Sequence, residues 1–163
     1  MKHFILTIAL AIGVCYAAQS QNYNSAIGLR LGYPVSISYK QFISEPGAIE
    51  AFLGFRNYSG YGWFNIGATY QHHFPISGVE GLAWYAGGGA SVFFWNDRDN
   101  FFRNNSDYSA TTFGILGVLG LDYKLENAPL NLSVDWMPFI SLNGYYSGFQ
   151  GGYGGLSARY VIK

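Results

Sequence analysis

The chain has one cysteine, Cys15, and it lies among the first twenty residues. A single thiol near the N-terminus excludes an internal disulfide framework. Charge is scarce too. Asp, Glu, Lys and Arg make up 11% of the residues, with nine of each sign, where about 25% is usual for a water-facing domain. That balance lacks the basic excess that nucleic-acid binding requires. Beyond residue 20 no run of 18 apolar residues occurs, so no spanning helix is expected there. Helical periodicity is also missing. The 22 glycines fall every few residues, and each would cost about 1 kcal/mol inside a helix. What the chain does have is aromatic side chains, 19% of the total, far too many for a disordered segment.

The N-terminus reads as a processing segment. Lys2 supplies a positive start, residues 4–14 (FILTIALAIGV) an apolar core, and Ala17, Ala18 and Ser20 small residues after it. A signal peptide over residues 1–20 is expected, cleaved after Ala17 or after Ser20. A membrane anchor is the competing reading, but the apolar run is short of the roughly 20 residues a span needs. Cys15 does not suit lipid attachment, because Val14 before it is too bulky. It is expected to leave with the signal, so residues 21–163 form the mature domain.

Along that domain, period-two alternation recurs. Eight strands are predicted, at about 25–31, 35–42, 49–56, 63–74, 82–95, 111–125, 130–140 and 154–163. Their apolar faces are bulky, as with Leu130, Leu132, Val134 and Trp136, which alternate with Asn131, Ser133 and Asp135. Several strands reach ten residues, beyond the ordinary length of about 5–6 and near the 9–11 of a tilted membrane strand. Tight links at SEPG (44–47), 76–81 and ENAP (126–129) alternate with longer ones at 57–62, 96–109 and 143–152. Outer-membrane barrels arrange their two ends in this way. The short GYP link at 32–34 departs from the rhythm.

Two architectures produce such alternation. A soluble sandwich or lipocalin-type barrel would turn its polar faces to water. A membrane barrel would turn them inward. Low total charge, polar faces rich in Gly, Ser, Thr and Asn, strands long enough to span, and a preceding secretory signal all favour the second. The fold expected is therefore all-β, an eight-stranded antiparallel up-and-down transmembrane barrel. Its interior would be just wide enough for side chains to fill.

The polar faces carry Arg30, Lys40, Glu50, Arg56, Asp122, Lys124, Asp135 and Arg159. Charges inside a narrow barrel must pair. These eight are predicted to form a polar network that plugs the lumen. Lys40 and Glu50 should face each other across the SEPG hairpin, and Asp135 should meet Arg159 or Arg30. Pro138 has no N–H to donate and is expected near the outer rim, where strand pairing thins.

Several stretches, GLRLGYPVSISYKQF, GAIEAFLGFR, WYAGGGASVFF, GVLGLDYKL, LNLSVDWMPFI and SARYVIK, together resemble the small outer membrane β-barrel proteins of Bacteroidota-type bacteria. The most specific is Leu-x-Leu-x-x-Asp-Trp-x-Pro at 130–138. The resemblance spans essentially the whole mature chain. It implies an eight-stranded barrel in the outer membrane and little about activity, since such proteins are mostly of unassigned function. The chain ends Tyr160-Val161-Ile162-Lys163, where outer membrane proteins often end in an aromatic residue.

Residues that would carry chemistry are few. His72, His73 and Ser77 invite comparison with lipid A deacylases, but the Ser is not two residues after either His. Adjacent His residues on a strand point to opposite faces and cannot share one metal ion. Asp97 and Asp99 have a Ca²⁺-like spacing without the Gly and downstream Glu of a known loop. GGGA at 87–90 precedes no helix, so it is no phosphate cradle; its glycines should let a strand bend or let large side chains pass. Phe101, Phe102, Tyr108, Tyr145, Tyr146, Phe149 and Tyr153 place aromatics on the long loops. The expectation is no enzyme, no cofactor and no metal. The role expected is structural or surface-interacting and not that of an open porin, with a small lipid-modifying enzyme or minor transporter as the alternative. Partners would be outer membrane lipids, lipopolysaccharide and the outer membrane assembly machinery. The sequence names no extracellular partner.

Overall fold

The computed structural model describes residues 23–57, 61–97, 111–143 and 148–162. The expected leader, Cys15, Asp99 and the loop aromatics at 101, 102, 108, 145 and 146 lie outside the described residues. The strands are β1 (Ser25–Tyr33), β2 (Val35–Phe42), β3 (Gly47–Asn57), β4 (Tyr61–Pro75), β5 (Leu82–Asp97), β6 (Thr111–Lys124), β7 (Leu130–Trp136), β8 (Phe139–Ser141), β9 (Gly148–Gln150) and β10 (Gly154–Val161). All pairings are antiparallel, and the β5–β6 pairing closes the sheet on itself. β1 lies between β2 and β10, so the two ends of the chain meet at one seam.

Ten segments make eight staves. β7 and β8 pair with β6 in a single register, Leu119 opposite Trp136 and Leu116 opposite Phe139. Only Met137 and Pro138 separate them. Gly117 N–H donates to Pro138 O at 2.9 Å, but proline has no N–H to return the bond. Pro138 therefore breaks the ladder locally, and pairing resumes beyond it in β8 rather than thinning out. The facing stave adjusts with an extra residue. Gly154 lies opposite Trp136, and Gln150 opposite Phe139. Three residues, 151–153, thus face two, which is a β-bulge. It carries Tyr153 inward, where its carbonyl accepts from Met137 N–H at 2.9 Å.

The links at 43–46, 76–81 and 125–129 lie at one end of the barrel, called the turn end here, and those at 34, 58–60, 98–110 and 142–147 at the other, the loop end. The expected alternation of tight and long links fails for the first two loop-end links, which are the shortest of all. Ile43 N–H donates to Gly47 O at 3.0 Å and Leu125 N–H to Leu130 O at 3.0 Å, closing two of the turns. The alternation resolves into two faces. Outward stand residues such as Leu29, Leu53, Phe113, Ile115 and Leu156, each more than half exposed. No Asp, Glu, Lys or Arg occupies an outward position on any described strand. Inward stand the polar and charged residues, together with some bulky aromatics.

Interior glycines make room for those aromatics. The Phe52 ring lies against Gly67 and the Phe139 ring against Gly114, where a Cβ would collide with each. Gly89 is crowded by backbone, because a Cβ there would run into the Ala68 carbonyl oxygen. Gly89→Val is therefore expected to lower unfolding stability by at least about 1–3 kcal/mol. Gly152→Ala, which meets nothing within 4 Å, should change it little. Urea-unfolding midpoints of the two variants check the difference.

Candidate functional site

The barrel interior divides into two zones. Toward the turn end and the middle it is ionic. Glu50 on β3 sits at the centre, fully buried. Its Oε1 accepts from Arg30 Nη1 at 3.2 Å and from Arg159 Nη2. Its Oε2 accepts from Gln71 Nε2 at 2.6 Å. Arg30 on β1 reaches the other way to donate from Nη2 to Asp135 Oδ1 on β7 at 2.7 Å. Tyr85 OH completes Asp135 from β5, donating to Oδ2 at 2.8 Å. Arg159 on β10 spends its remaining donors on Ser38 Oγ at 3.0 Å, Ser133 Oγ at 2.7 Å and Asn131 Oδ1 at 3.3 Å.

A second centre lies nearer the turn end. Lys40 Nζ on β2 donates to Asp122 Oδ1 on β6 at 3.0 Å. β2 and β6 are four staves apart in a barrel of eight, so this pair crosses the full width of the interior. Asp122 Oδ2 accepts from Tyr23 OH at 3.1 Å and from Asn131 Nδ2 at 3.0 Å. Asn131 therefore joins the two centres, one end of its amide serving Arg159 and the other Asp122. Lys40 Nζ also lies 4.6 Å from the centre of the Tyr85 ring and 3.3 Å from His73 Nε2. Three cations, Arg30, Lys40 and Arg159, balance three carboxylates, Glu50, Asp122 and Asp135, all buried. Each is met by opposite charge and by neutral hydrogen-bonding groups, the condition under which buried ions are tolerated.

Of the eight residues predicted for the interior, these six come together. Arg56 and Lys124 do not join them. Arg56 is half-buried near the loop end, its guanidinium 4.7 Å from the centre of the Tyr33 ring. Lys124, at the end of β6, donates from Nζ to Leu125 O and, at 2.9 Å, to Ala128 O. Both stand where the strands end, so their long side chains reach rim and turn. Lys40 and Glu50 are cross-strand neighbours as expected, yet each finds its counter-ion elsewhere, because Arg30 and Arg159 already hold Glu50. For Asp135, the structure selects Arg30 from the two candidates.

Toward the loop end the interior is apolar. Trp63, Phe93, Phe139 and Tyr153 pack edge-on or tilted, with Phe93 5.1 Å from both Trp63 and Phe139 between ring centres. Leu116, Val118 and Met137 fill beneath them, and Tyr33 and Trp95 close the rim. This cap was not anticipated. Its signal was available at Trp63 and Phe93, which continue the inward parity of Asn65 and Ser91 by one step. Tyr153 carried no such signal, because the bulge shifts its register. Placed by sequence among the aromatics of the long loops, it is buried within the cap, whereas Phe149 is 67% exposed.

The two histidines face opposite sides. His72 is outward, with Nδ1 3.5 Å from Tyr70 OH. His73 is buried inside, its ring stacked 5.1 Å from that of Tyr85. Ser77 is exposed on the turn after β4.

Lys40→Met would leave the Asp122 carboxylate buried without its cation, an expected loss of about 3–5 kcal/mol. Adding Asp122→Asn removes both charges and should recover most of that loss. Urea midpoints of the single and double variants measure it; equal losses in both would contradict the pairing. Compared with known proteins, the chain matches no family model and no curated sequence.

Proposed function

We propose that the chain is an integral outer membrane β-barrel protein with a structural or surface-interaction role, its lumen plugged by the ionic network and the aromatic cap. The observation that carries this reading is the outer wall. Two stacked aromatic pairs bracket it across β4 and β5. Phe64 and Phe94 are 4.7 Å apart at the loop end, and Phe74 and Trp84 4.1 Å apart at the turn end. They lie ten residues apart on each strand. At about 3.4 Å per residue and a tilt of about 40°, the rows stand about 26 Å apart in height. An apolar band about 25 Å tall between aromatic girdles is what a lipid bilayer demands of a barrel. A soluble protein rarely exposes a continuous apolar surface of that extent.

The resemblance to Bacteroidota-type outer membrane barrels supports the same location. Insertion would rest on recognition of the alternating last stave and Tyr160, and the partners would be outer membrane lipids, lipopolysaccharide and the assembly machinery. The interior supports a role other than that of an open porin. Six paired charges and a packed aromatic cap stand across the axis, and conduction would require them to separate. A deletion strain with altered lipid A acylation would favour the lipid-modifying alternative instead.

Leu29→Lys separates the membrane reading from a soluble barrel. Leu29 is outward, in the middle of β1, and 53% exposed. In a bilayer the substitution should cost about 2–4 kcal/mol near the midplane and impair folding into vesicles. In water an exposed Leu→Lys change should stay within about 0.5 kcal/mol. Unimpaired vesicle insertion of the variant would sink the membrane reading. Wild-type protein should also show heat-modifiable gel mobility and no porin-level conductance in planar bilayers.

A further inference from the structure

At the turn end, the β2–β3 turn and the end of β4 gather three polar side chains on the outer wall. Gly47, the first residue of β3, pairs with His72. Having no side chain, Gly47 leaves a gap that the Tyr70 ring covers. A Cβ on Gly47 would lie 2.7 Å from the Tyr70 hydroxyl and 3.0 Å from Ser44 Oγ. The Tyr70 hydroxyl is also 3.5 Å from His72 Nδ1, at the long limit of a hydrogen bond. Ser44 Oγ, Tyr70 OH and the His72 ring therefore converge over one glycine. The His72 ring is braced by that of Phe74, 4.7 Å away between centres. Ser44 and Tyr70 are exposed, and His72 is half-buried. Among the described residues these three side chains make no stronger hydrogen bond than that long one.

We propose that this cluster is a phosphate subsite and that, with Glu45 beside it, it takes a phosphoethanolamine group. The chemistry selects the ligand. Each hydroxyl has an O–H to donate and the imidazole an N–H. Three such groups around one point suit the oxygens of a phosphodiester, which accept charge-assisted hydrogen bonds. A purely apolar chain would leave them without partners, at a cost for each. Charge then chooses among phosphates. Glu45 follows Ser44 in the turn and is exposed. The links at 43–46 and 76–81 carry Glu45 and Glu80 and no Lys or Arg. A headgroup that is only anionic would meet like charge there, which disfavours it. An ammonium two carbons beyond the phosphate would meet Glu45 instead. His72 lies two residues from Phe74, so the site borders the turn-end aromatic row. On the proposed membrane reading that row is at headgroup height, and the phosphoethanolamine belongs to a lipid. For a barrel in water a free phosphodiester would supply the same group. Only this choice of source rests on that reading.

The test places the folded barrel in a maltoside detergent, which carries no phosphate. It is titrated with dihexanoyl-phosphatidylethanolamine and with dihexanoyl-phosphatidylglycerol. A parallel arm uses water-soluble glycerophosphoethanolamine. Bound copies are counted by native mass spectrometry. One saturable copy of the ethanolamine compound is expected, held at least about tenfold more tightly than the phosphatidylglycerol. Ser44→Ala with Tyr70→Phe should weaken it at least about tenfold. Gly47→Ala should do the same, because its Cβ would displace the Tyr70 hydroxyl. Glu45→Gln should remove the preference for ethanolamine. Binding of glycerophosphoethanolamine assigns a free phosphodiester, and binding confined to the lipid assigns a headgroup. No saturable binding in either arm, unchanged binding in the Ser44/Tyr70 variant, or a preference that survives Glu45→Gln overturns the proposal. Circular dichroism confirms that each variant is folded; if Gly47→Ala is not, the Ser44/Tyr70 variant carries the test. The Leu29→Lys experiment judges the membrane reading separately.

Discussion

The structure depends on one buried carboxylate. Glu50 takes Arg30 and Arg159 on one oxygen and Gln71 on the other, and these four residues come from β3, β1, β10 and β4. A group that ties so many staves together near the axis restricts how the sheet can close. Period-two alternation makes a one-residue slip turn every side chain over. Such a slip here would carry an arginine or Glu50 to the outer wall, where nothing polar could meet it. The ionic network therefore acts on register as much as on stability, consistent with the attested use of buried polar groups to specify one arrangement.

The two interior zones solve one packing problem in different ways. An eight-stave barrel has space for side chains and little else. In the middle and toward the turn end, long charged side chains cross the space and neutralise one another. Toward the loop end, rings of Trp63, Phe93, Phe139 and Tyr153 fill it, and glycines at 67 and 114 make room where Phe52 and Phe139 lie against the wall. Tyr85 belongs to both zones. It packs within the aromatic cluster while its hydroxyl donates to Asp135. The polar and apolar halves are thereby continuous.

Much of this was legible along the chain. Strand positions and the inward set of Arg30, Lys40, Glu50, Asp122, Asp135 and Arg159 follow from parity, which is a local property. Pairing partners were less so. Lys40 and Glu50 are neighbours across a hairpin, and local reasoning joins them. The true counter-ion of Lys40 is Asp122, 82 residues away on the opposite wall. The aromatic cap was missed at Trp63 and Phe93, although both lie inside the predicted strands 63–74 and 82–95 and share the inward parity of Asn65 and Ser91, and at Tyr153, where the backbone changes parity. Pro138 announced an interruption, but not that the ladder resumes beyond it.

Sequence by itself determined that this chain forms strands with one charge-poor apolar face and one polar face. That information is carried by side-chain type and spacing, because successive strand residues point to opposite sides. Only the tertiary structure decided which side is enclosed, which charges meet, and that part of the enclosed side is aromatic. Those outcomes depend on closure. Until β5 pairs with β6 and β1 with β10, neither face has an inside, and residues four staves apart have no reason to touch. Closure brings opposite walls within reach of a lysine side chain and leaves the remaining apolar surface facing outward.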